Sequence, residues 1–501
     1  MRKTDVDVVV LGAGNAALCA AIAAKEQGAS VCMLERAPKN KRGGNSYFTD
    51  GAIRCAYGSF QDLRAVLPDL DEEQVELISM PDYGEEAFMA DLLRLTEGQT
   101  DRKLANQLVS RSFDTIQWMM KQGVQFAVNE NQYYEKDGKR HFWGGLPLKT
   151  KNKGVGLVQA LFQRAEALGI DICYEAKTTE LKQEEDQSKK LVVEIAGEPA
   201  EINANAVIFA CGGFEANANM RKTHLGIEWE KAVVRGTAFN TGEGLTLALK
   251  AGAIQYGQWD GCHAHTTDYH APKTGDFNKP GDIYKKSSYP LGLIVNVKGE
   301  RFVDEGADFR NYTYAKYGKE TLKQPEQKAF QLFDSQVSAN LRKEYYLPEA
   351  TCYQADSVEK LAEKIGVCPE ALLNTIRTYN QAVQPGPYNP ATKDGKRTIG
   401  VFPPKSNWAL TFEKAPFYAF PVTCGITFTF GGIHISPKSE ILGDDKRPVP
   451  GLFAAGEMVG GLFYHNYPGG AGLMVGAVFG RLAGEQAAAF CNRTKPLSSK
   501  S

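Results

Sequence analysis

The sequence predicts an α/β protein: a Rossmann-like nucleotide-binding domain of the glutathione-reductase type, split by an inserted α+β capping domain. Three observations predict it. An apolar strand pattern at the start runs into Gly12-Ala13-Gly14. A second glycine-rich strand end, Gly451-Leu452-Phe453-Ala454-Ala455-Gly456-Glu457, stands near the other terminus and is followed by Gly469, Gly470 and Gly472. Between them, from about residue 255 to 410, proline, tyrosine and lysine rise and the alternation of strand and helix stops. Roughly 430 residues separate the two glycine-rich halves. One nucleotide site built from both requires the middle to be an insertion. The expected division is therefore 1–254 and 411–501 for the nucleotide domain and 255–410 for the cap.

The elements follow in order. Residues 6–11 are a continuous valine-rich run, the pattern of a parallel strand buried on both faces. Residues 14–27 read as an alanine-rich helix ending near Gly28, and residues 31–35 as a second strand, completing a βαβ unit. Residues 72–124 look mostly helical, with a stop at Gly123. Residues 154–168 read as a helix and 171–174 as a strand. Residues 178–203 alternate as a small antiparallel meander with a charged turn at Glu184-Glu185-Asp186. A strand at 206–210 runs into Cys211-Gly212-Gly213-Phe214. Apolar strands return at 411–430, a last helix covers 472–490, and a polar tail begins at Asn492.

The bulk numbers exclude several classes. The chain has 501 residues, enough for two or three domains, with 43% hydrophobic and 23% charged residues. Its net charge of −1 offers no field for nucleic acid or an anionic membrane. No run of about 18 apolar residues marks a transmembrane segment. The first residues pass straight into a strand with no apolar signal core, so a cytoplasmic location is expected. Ten cysteines are scattered without a Cys-x-x-Cys pair, which suits a reducing compartment and excludes iron–sulfur and haem-attachment spacings. His263-Ala264-His265 with His270 lacks the regular spacing of a metal site, and no metal is expected.

The glycines carry the cofactor chemistry. Gly12 permits a tight turn, Gly14 lets backbone approach a diphosphate, and Ala17 allows close packing of helix on strand. Free N–H groups of Asn15 and Ala16 open the helix toward the phosphates. Glu35 lies 21 residues after Gly14, where a carboxylate accepts from ribose hydroxyls, and Arg36 stands beside it. Arg42-Gly43-Gly44-Asn45-Ser46 and the turn at Gly212 suit backbone wrapped around a second part of a long ligand. Glu457 is placed to accept from a ribityl or ribose hydroxyl. The helix starting near Gly472 and Leu473 would aim its N-terminus at a flavin pyrimidine, stabilising negative charge on the reduced ring. A ligand contacted from both chain ends favours FAD over NAD. No histidine stands in the 42–46 stretch, so the FAD is expected to be non-covalent.

These residues resemble the fumarate reductase and succinate dehydrogenase flavoprotein superfamily, including 3-ketosteroid dehydrogenases and tricarballylate dehydrogenases. The carrying segments are Gly12–Ala21, Arg42–Ser46, Arg235-Gly236-Thr237, Gly242-Glu243-Gly244, Gly299–Arg310 and Gly451–Gly484. The resemblance implies an enzyme, an FAD-dependent dehydrogenase acting on CH–CH groups, with substrate bound over the flavin. A C=C bond next to a carbonyl or carboxylate is made or removed by hydride transfer at flavin N5 and proton transfer at the adjacent carbon.

By the same resemblance the proton donor of fumarate reductases, an arginine after a Gly-x-Arg-Phe segment, matches Arg310. The tyrosine base of ketosteroid dehydrogenases matches the neighbourhood of Tyr312 and Tyr314. The substrate-side histidine matches His263. Tyr467, in Tyr467-Pro468-Gly469, stands where dicarboxylate reductases carry a substrate-binding arginine. It resembles the oxyanion-hole tyrosine of ketosteroid dehydrogenases. The dicarboxylate enzymes also carry histidine before the paired glycines, where this chain has Thr427-Phe428-Thr429-Phe430. Both departures point to an oxo acid or cyclic ketone; the expected reaction is its desaturation, and the reverse reduction would use the same parts. The alternatives are a fumarate-reductase-like ene reductase, a tricarballylate dehydrogenase acting on a polycarboxylate, a flavin monooxygenase, and a non-catalytic electron-relay subunit. A separate electron acceptor is expected: a quinone, another flavoprotein, an iron–sulfur protein or oxygen. Tyr133-Tyr134 and His141-Phe142-Trp143 form either an aromatic mouth or a buried cluster.

Overall fold

The valine-rich run at the start becomes the centre of a parallel sheet in a computed structural model that describes residues 2–142, 145–184 and 187–494. Trp143, the Glu185-Asp186 turn and the tail beyond Thr494 lie outside the described residues. The strand Arg2–Leu11 extends further toward the N-terminus than its apolar core. It pairs in parallel with Glu198–Phe209 on one side and Val31–Leu34 on the other. Val8, Val9 and Val10 are inaccessible, as expected for a strand covered on both faces. The sheet continues to Asp171–Cys173 beyond Val31–Leu34. On its other side Pro448–Ala454 joins Glu198–Phe209 in parallel, which brings the second glycine-rich end beside the first.

The last strand of the meander and the strand at 206–210 are one continuous element, not two. Glu198–Phe209 spans 12 residues. Burial alternates along the stretch that pairs with Lys189–Ile195 and becomes complete from Ala206 onward. The period of two therefore records one exposed face, and it vanishes where the strand enters the covered part of the sheet. The helical stretch at 72–124 resolves into Glu72–Glu76, Glu85–Leu95 and Arg102–Lys121, interrupted by the short strand Ile78–Ser79. Asp101 caps the longest of these, accepting from the N–H groups of Lys103 at 2.8 Å and Leu104 at 3.1 Å.

The two chain ends are held together by small residues. The last helix, Ala471–Thr494, packs along the first, Asn15–Glu26. A methyl on Gly480 would lie 2.4 Å from the carbonyl oxygen of Ala16, and one on Gly484 would lie 2.1 Å from that of Ala20. Glycines four residues apart on one face let the backbones touch.

Contacts divide the chain into two compact units. The first holds residues 1–225, 236–262 and 428–501; the second holds 226–235 and 263–427. The second unit has its own six-stranded sheet built around Phe417–Thr429, which pairs with Val233–Val234, Cys262–Asp268, Ala329–Phe333 and Tyr353–Ala355. The helices Val358–Ile365 and Pro369–Ala382 bury Leu361, Leu372 and Ile376 against Leu293, Phe330 and Phe417 of this sheet. The helix Arg310–Leu322 lies hard on the strand Cys262–Asp268: a methyl on Gly318 would sit 2.5 Å from the carbonyl carbon of Ala264.

Candidate functional site

In the first unit, the turn after the first strand is shaped by backbone. Gly12 has φ +107°, and a methyl there would lie 2.5 Å from the carbonyl oxygen of Ala210, so no L side chain fits. Gly14 caps the first helix and makes no side-chain cap, leaving the helix end open. Gly43, at φ +107°, turns a second loop toward it. A methyl on Gly44 would stand 3.7 Å from the Gly14 Cα, and one on Gly14 would stand 3.6 Å from Ser46 Oγ. The glycines thus face each other across a cradle that methyl groups would fill. The main-chain N–H of Asn15 reaches Ser46 Oγ at 3.1 Å, and its side chain donates to the carbonyl of Leu473 at 2.9 Å. Ala16 is confined by Gly456, where a methyl would lie 2.8 Å from its Cβ.

Acids line this cradle. Glu35 is buried, accepts from the N–H of Ala37 at 2.7 Å, and is pushed by burial up to about 7. Arg36 pairs with Glu243 and bonds Thr241. Asn45 and Glu457, far apart in sequence, enter one buried polar cluster. Asn45 Nδ2 donates to Glu215 Oε1 at 2.6 Å, and Asn45 Oδ1 accepts from the N–H of Thr237 at 2.9 Å. Glu457 Oε1 accepts from Thr429 N–H at 2.7 Å. Gly212 leaves room for Asn240: a methyl there would lie 2.3 Å from its Nδ2. Sequence reasoning missed Glu215; the acid following Gly212-Gly213-Phe214 was the only available signal.

Arg54 was missed too. It is fully buried and donates through Nε to the carbonyl of Gly469 at 2.9 Å. Its main-chain N–H bonds the carbonyl of Gly470, and its guanidinium meets Asp91 and the hydroxyl of Tyr83. It fixes the double-glycine turn that launches the last helix. Gly472 opens space beside two rings, since a methyl there would stand 4.0 Å from Phe428 and from Tyr467. The Tyr467 ring meets Phe428 edge-on at 5.1 Å and Phe463 at 5.3 Å. The open helix end, the two facing glycine loops and the buried Glu35 match the phosphates and ribose of FAD. In this unit, then, the residues present fit the cofactor.

The second unit carries a cluster of long polar side chains. His263 and His265 lie on the fully buried strand Cys262–Asp268. The Tyr314 ring meets His263 edge-on at 5.0 Å and His265 at 5.3 Å. The guanidinium of Arg310 sits 5.6 Å from the centre of the same ring. Arg310 opens its helix, so Tyr314, four residues on, shares its face. Tyr312 is turned away from that face by the helical period. Tyr314, not Tyr312, is therefore the tyrosine grouped with Arg310 and His263. Burial, then the charge of Arg235, holds both imidazoles well below the usual histidine range. They are neutral at pH 7. His265 uses Nε2 with Ser287 Oγ at 3.1 Å.

Arg235 forms a fork on Asp282, with Nε to Oδ1 at 3.2 Å, and donates to Thr427 Oγ1 at 2.6 Å. Gly425 makes room for it: a methyl there would lie 2.4 Å from Arg235 Cδ. With neutral imidazoles, the two guanidiniums of Arg235 and Arg310 against the carboxylate of Asp282 leave the cluster with one positive charge. That charge suits an anion. Asp282 was not singled out from sequence, and the grouping of Arg235, His265, Tyr314 and Thr427 around it was not legible, because no spacing joins residues from five separate segments. Arg301, in the stretch that supplied Arg310, is structural. It pairs with the inaccessible Glu305 through Nε at 3.0 Å, and Glu305 also accepts from Ile294 N–H.

The remaining motifs separate. Among the described residues the group with metal-ligand geometry is Cys32, Asp171 and Cys173, not the histidines. Tyr133 and Phe142 pack their rings 5.1 Å apart, while the Tyr134 side chain lies outside the described set. No helix among the described residues is long and apolar enough to cross a membrane.

Residues 7–473 match the FAD binding domain family. The chain is 30% identical to a probable fumarate reductase, Ifc3, of Shewanella frigidimarina, covering 96% of this chain and 74% of that protein. It is 26% identical to a vinyl phenol reductase of Lactiplantibacillus plantarum, covering 99% of each. Its fold is similar to that of the 3-ketosteroid delta1-dehydrogenase of Sterolibacterium denitrificans, with TM-score 0.73, 18% identity, and coverage of 97% of this chain and 100% of that one.

Proposed function

The chain belongs to the FAD binding domain family, within the fumarate reductase and succinate dehydrogenase flavoprotein superfamily of FAD-dependent oxidoreductases acting on CH–CH groups, and from that premise we propose that it is a desaturase of an oxo acid or cyclic ketone. The bond it makes lies alpha,beta to the carbonyl or carboxylate. One observation carries this reading: Tyr467, which by the resemblance stands where dicarboxylate reductases carry an arginine, packs against the rings of Phe428 and Phe463. A phenol polarises a carbonyl oxygen, whereas an aromatic cluster gives a carboxylate no countercharge.

FAD, bound without a covalent link, supplies the hydride acceptor. The residues of the chain do the rest. Tyr467 donates its hydroxyl to the substrate carbonyl, so that charge developing on oxygen is stabilised. Arg310 gives one of its own protons to a neutral imidazole of the cluster and takes the proton lost from the adjacent carbon in its place. An arginine accepts a proton only after giving one up, so the cluster around Tyr314, His263 and His265 orients it and keeps bulk water away. His263 contacts the substrate. Electrons leave to a separate acceptor of the cytoplasm.

A second reading has its own support. The fork of Arg235 on Asp282, with Arg310 and two neutral imidazoles in the same unit, offers more carboxylate-binding capacity than a ketone uses. That favours a polycarboxylate, oxidised as a tricarballylate dehydrogenase would or reduced as a fumarate reductase would. The deciding experiment is anaerobic. Cyclic keto acids, ketosteroids and tricarboxylates are mixed in turn with the purified holoenzyme, and flavin absorbance is followed. Bleaching by oxo compounds supports the first reading and bleaching by tricarboxylates the second. Bleaching by neither, with re-oxidation of dithionite-reduced flavin by fumarate-type acids, overturns the desaturase direction.

A further inference from the structure

Two carboxyl groups meet behind the glycine turns of the first unit, and only one of them was expected there. Glu215 is inaccessible. Its Oε1 accepts from Asn45 Nδ2 at 2.6 Å and from Asn240 Nδ2 at 2.7 Å. Its Oε2 is buried and receives no hydrogen-bond donor, and its carboxyl group neighbours and interacts with that of Glu457. Glu457 in turn accepts at Oε1 from the N–H of Thr429 at 2.7 Å and from Thr429 Oγ1 at 3.1 Å, and takes a further bond from the N–H of Gly213. Arg221 gives its guanidinium to the main-chain carbonyl of Glu215 at 2.6 Å, not to the carboxyl group. The paired glycines are shaped around this cluster. A methyl on Gly213 would lie 2.2 Å from both Glu457 Oε1 and Thr429 Oγ1.

Two carboxylates in contact and out of water are not both ionised. The donors say where the shared proton sits. Oε1 of Glu215 faces two amide N–H groups and Oε1 of Glu457 faces two donors of Thr429, so both are acceptors. The oxygen left to carry a proton is Oε2 of Glu215, and the group it reaches is Glu457.

We propose that Glu215 is a positioning residue of the flavin site: it holds one proton, donates it to the Glu457 carboxylate, and through Oε1 fixes the amide of Asn45. This rests on FAD being the ligand of the first unit. The consequence is geometric. Asn45 is clamped at both ends of its amide, by Glu215 and by the N–H of Thr237, and it carries the loop Gly43–Ser46 that faces Gly14. Glu457 is held as an acceptor toward a hydroxyl of the cofactor. Removing the proton from Glu215 would set two like charges against each other and release both.

Glutamine at position 215 reproduces the arrangement, with its amide donating to Glu457 and its oxygen accepting from both asparagines. Apoprotein of wild type, Glu215→Gln, Glu215→Ala and Glu457→Gln is titrated with FAD by flavin fluorescence at neutral pH. Infrared spectra of the holoproteins are recorded for the carbonyl stretch of a protonated carboxylic acid. Glu215→Gln should bind FAD within about threefold of wild type, and Glu215→Ala about tenfold or more weaker, as expected for losing a hydrogen bond to a buried carboxylate. The acid band should be present in wild type and missing from Glu215→Gln. If Glu215→Ala does not fold, the glutamine variant and the band decide alone. A Glu215→Gln protein that loses FAD more than tenfold, or a wild-type protein without the acid band, would overturn the proposal. Failure of wild type itself to bind FAD would instead break the cofactor assignment.

Discussion

The two units build their sites from different materials. The cofactor side of the first unit is mostly backbone: Gly12, Gly14, Gly43 and Gly44 create it by lacking side chains, and Gly12, Gly43 and Gly44 also take positive φ that other residues rarely adopt. The cluster of the second unit is made of long side chains. Arg235, His263, Asp282 and Arg310 come from four segments and acquire a shared meaning only when the strands around Phe417–Thr429 pair. The contrast teaches which chemistry survives as a motif. A backbone cradle demands glycine at fixed spacing. A side-chain cluster demands only that some residue of the right type arrive from somewhere.

The comparison is broken or sharpened by substitutions in each unit. The largest effect belongs to Gly12→Val. With φ at +107° and the carbonyl of Ala210 in the path, the protein should lose bound flavin altogether, read as the ratio of flavin to protein absorbance after purification. A variant that keeps its flavin would show that the cradle is not set by backbone.

Arg310→Gln should lower turnover by about a hundredfold or more, the usual loss for a general acid or base, with flavin content unchanged. Normal turnover would remove Arg310 from the proton step. Tyr467→Phe keeps the ring contacts with Phe428 and Phe463 and deletes only the hydroxyl. Turnover should drop by more than about tenfold, and single-turnover flavin reduction is the measurement. Arg235→Lys retains the charge but loses the fork on Asp282. It should raise KM for a carboxylate substrate about tenfold with little change in kcat, and an unaltered KM would make the fork purely structural.

The smallest effect concerns Glu35. Its folded-state carboxyl is raised to about 7, chiefly by burial, so the folded apoprotein holds a proton that the unfolded chain gives up near its ordinary value. Stability from this group is full below that ordinary value and is lost as pH climbs through about 7. Melting of the apoprotein should fall by on the order of 3 °C across that window, and Glu35→Gln should flatten the slope. An identical slope in the variant would assign the pH dependence to other groups.

How much was legible follows from particular residues. The first βαβ unit was read nearly to its ends, because complete burial, a helix start and a tight turn each leave local marks at Val8–Val10, Asn15 and Gly12. The join of residues 178–203 to 206–210 was not legible, because alternation stops when a strand becomes covered on both faces, and that depends on what packs there. Arg310 was proposed through resemblance, and which tyrosine shares its helix face, Tyr314, needed the structure. Arg54 gave no signal at all. It is a lone arginine in sequence, and only the fold sets it against the carbonyls of Gly469 and Gly470.

The sequence by itself predicted that both chain ends serve one dinucleotide, because a tight turn beside a helix start demands glycine at fixed spacing. By resemblance it also predicted that Tyr467 stands where relatives carry an arginine. Tertiary structure alone decided the pairing of Glu215 with Glu457 and the fork of Arg235 on Asp282. Those depend on distances between side chains far apart in the chain, and a buried charge finds its partner only when the sheets that carry both have formed.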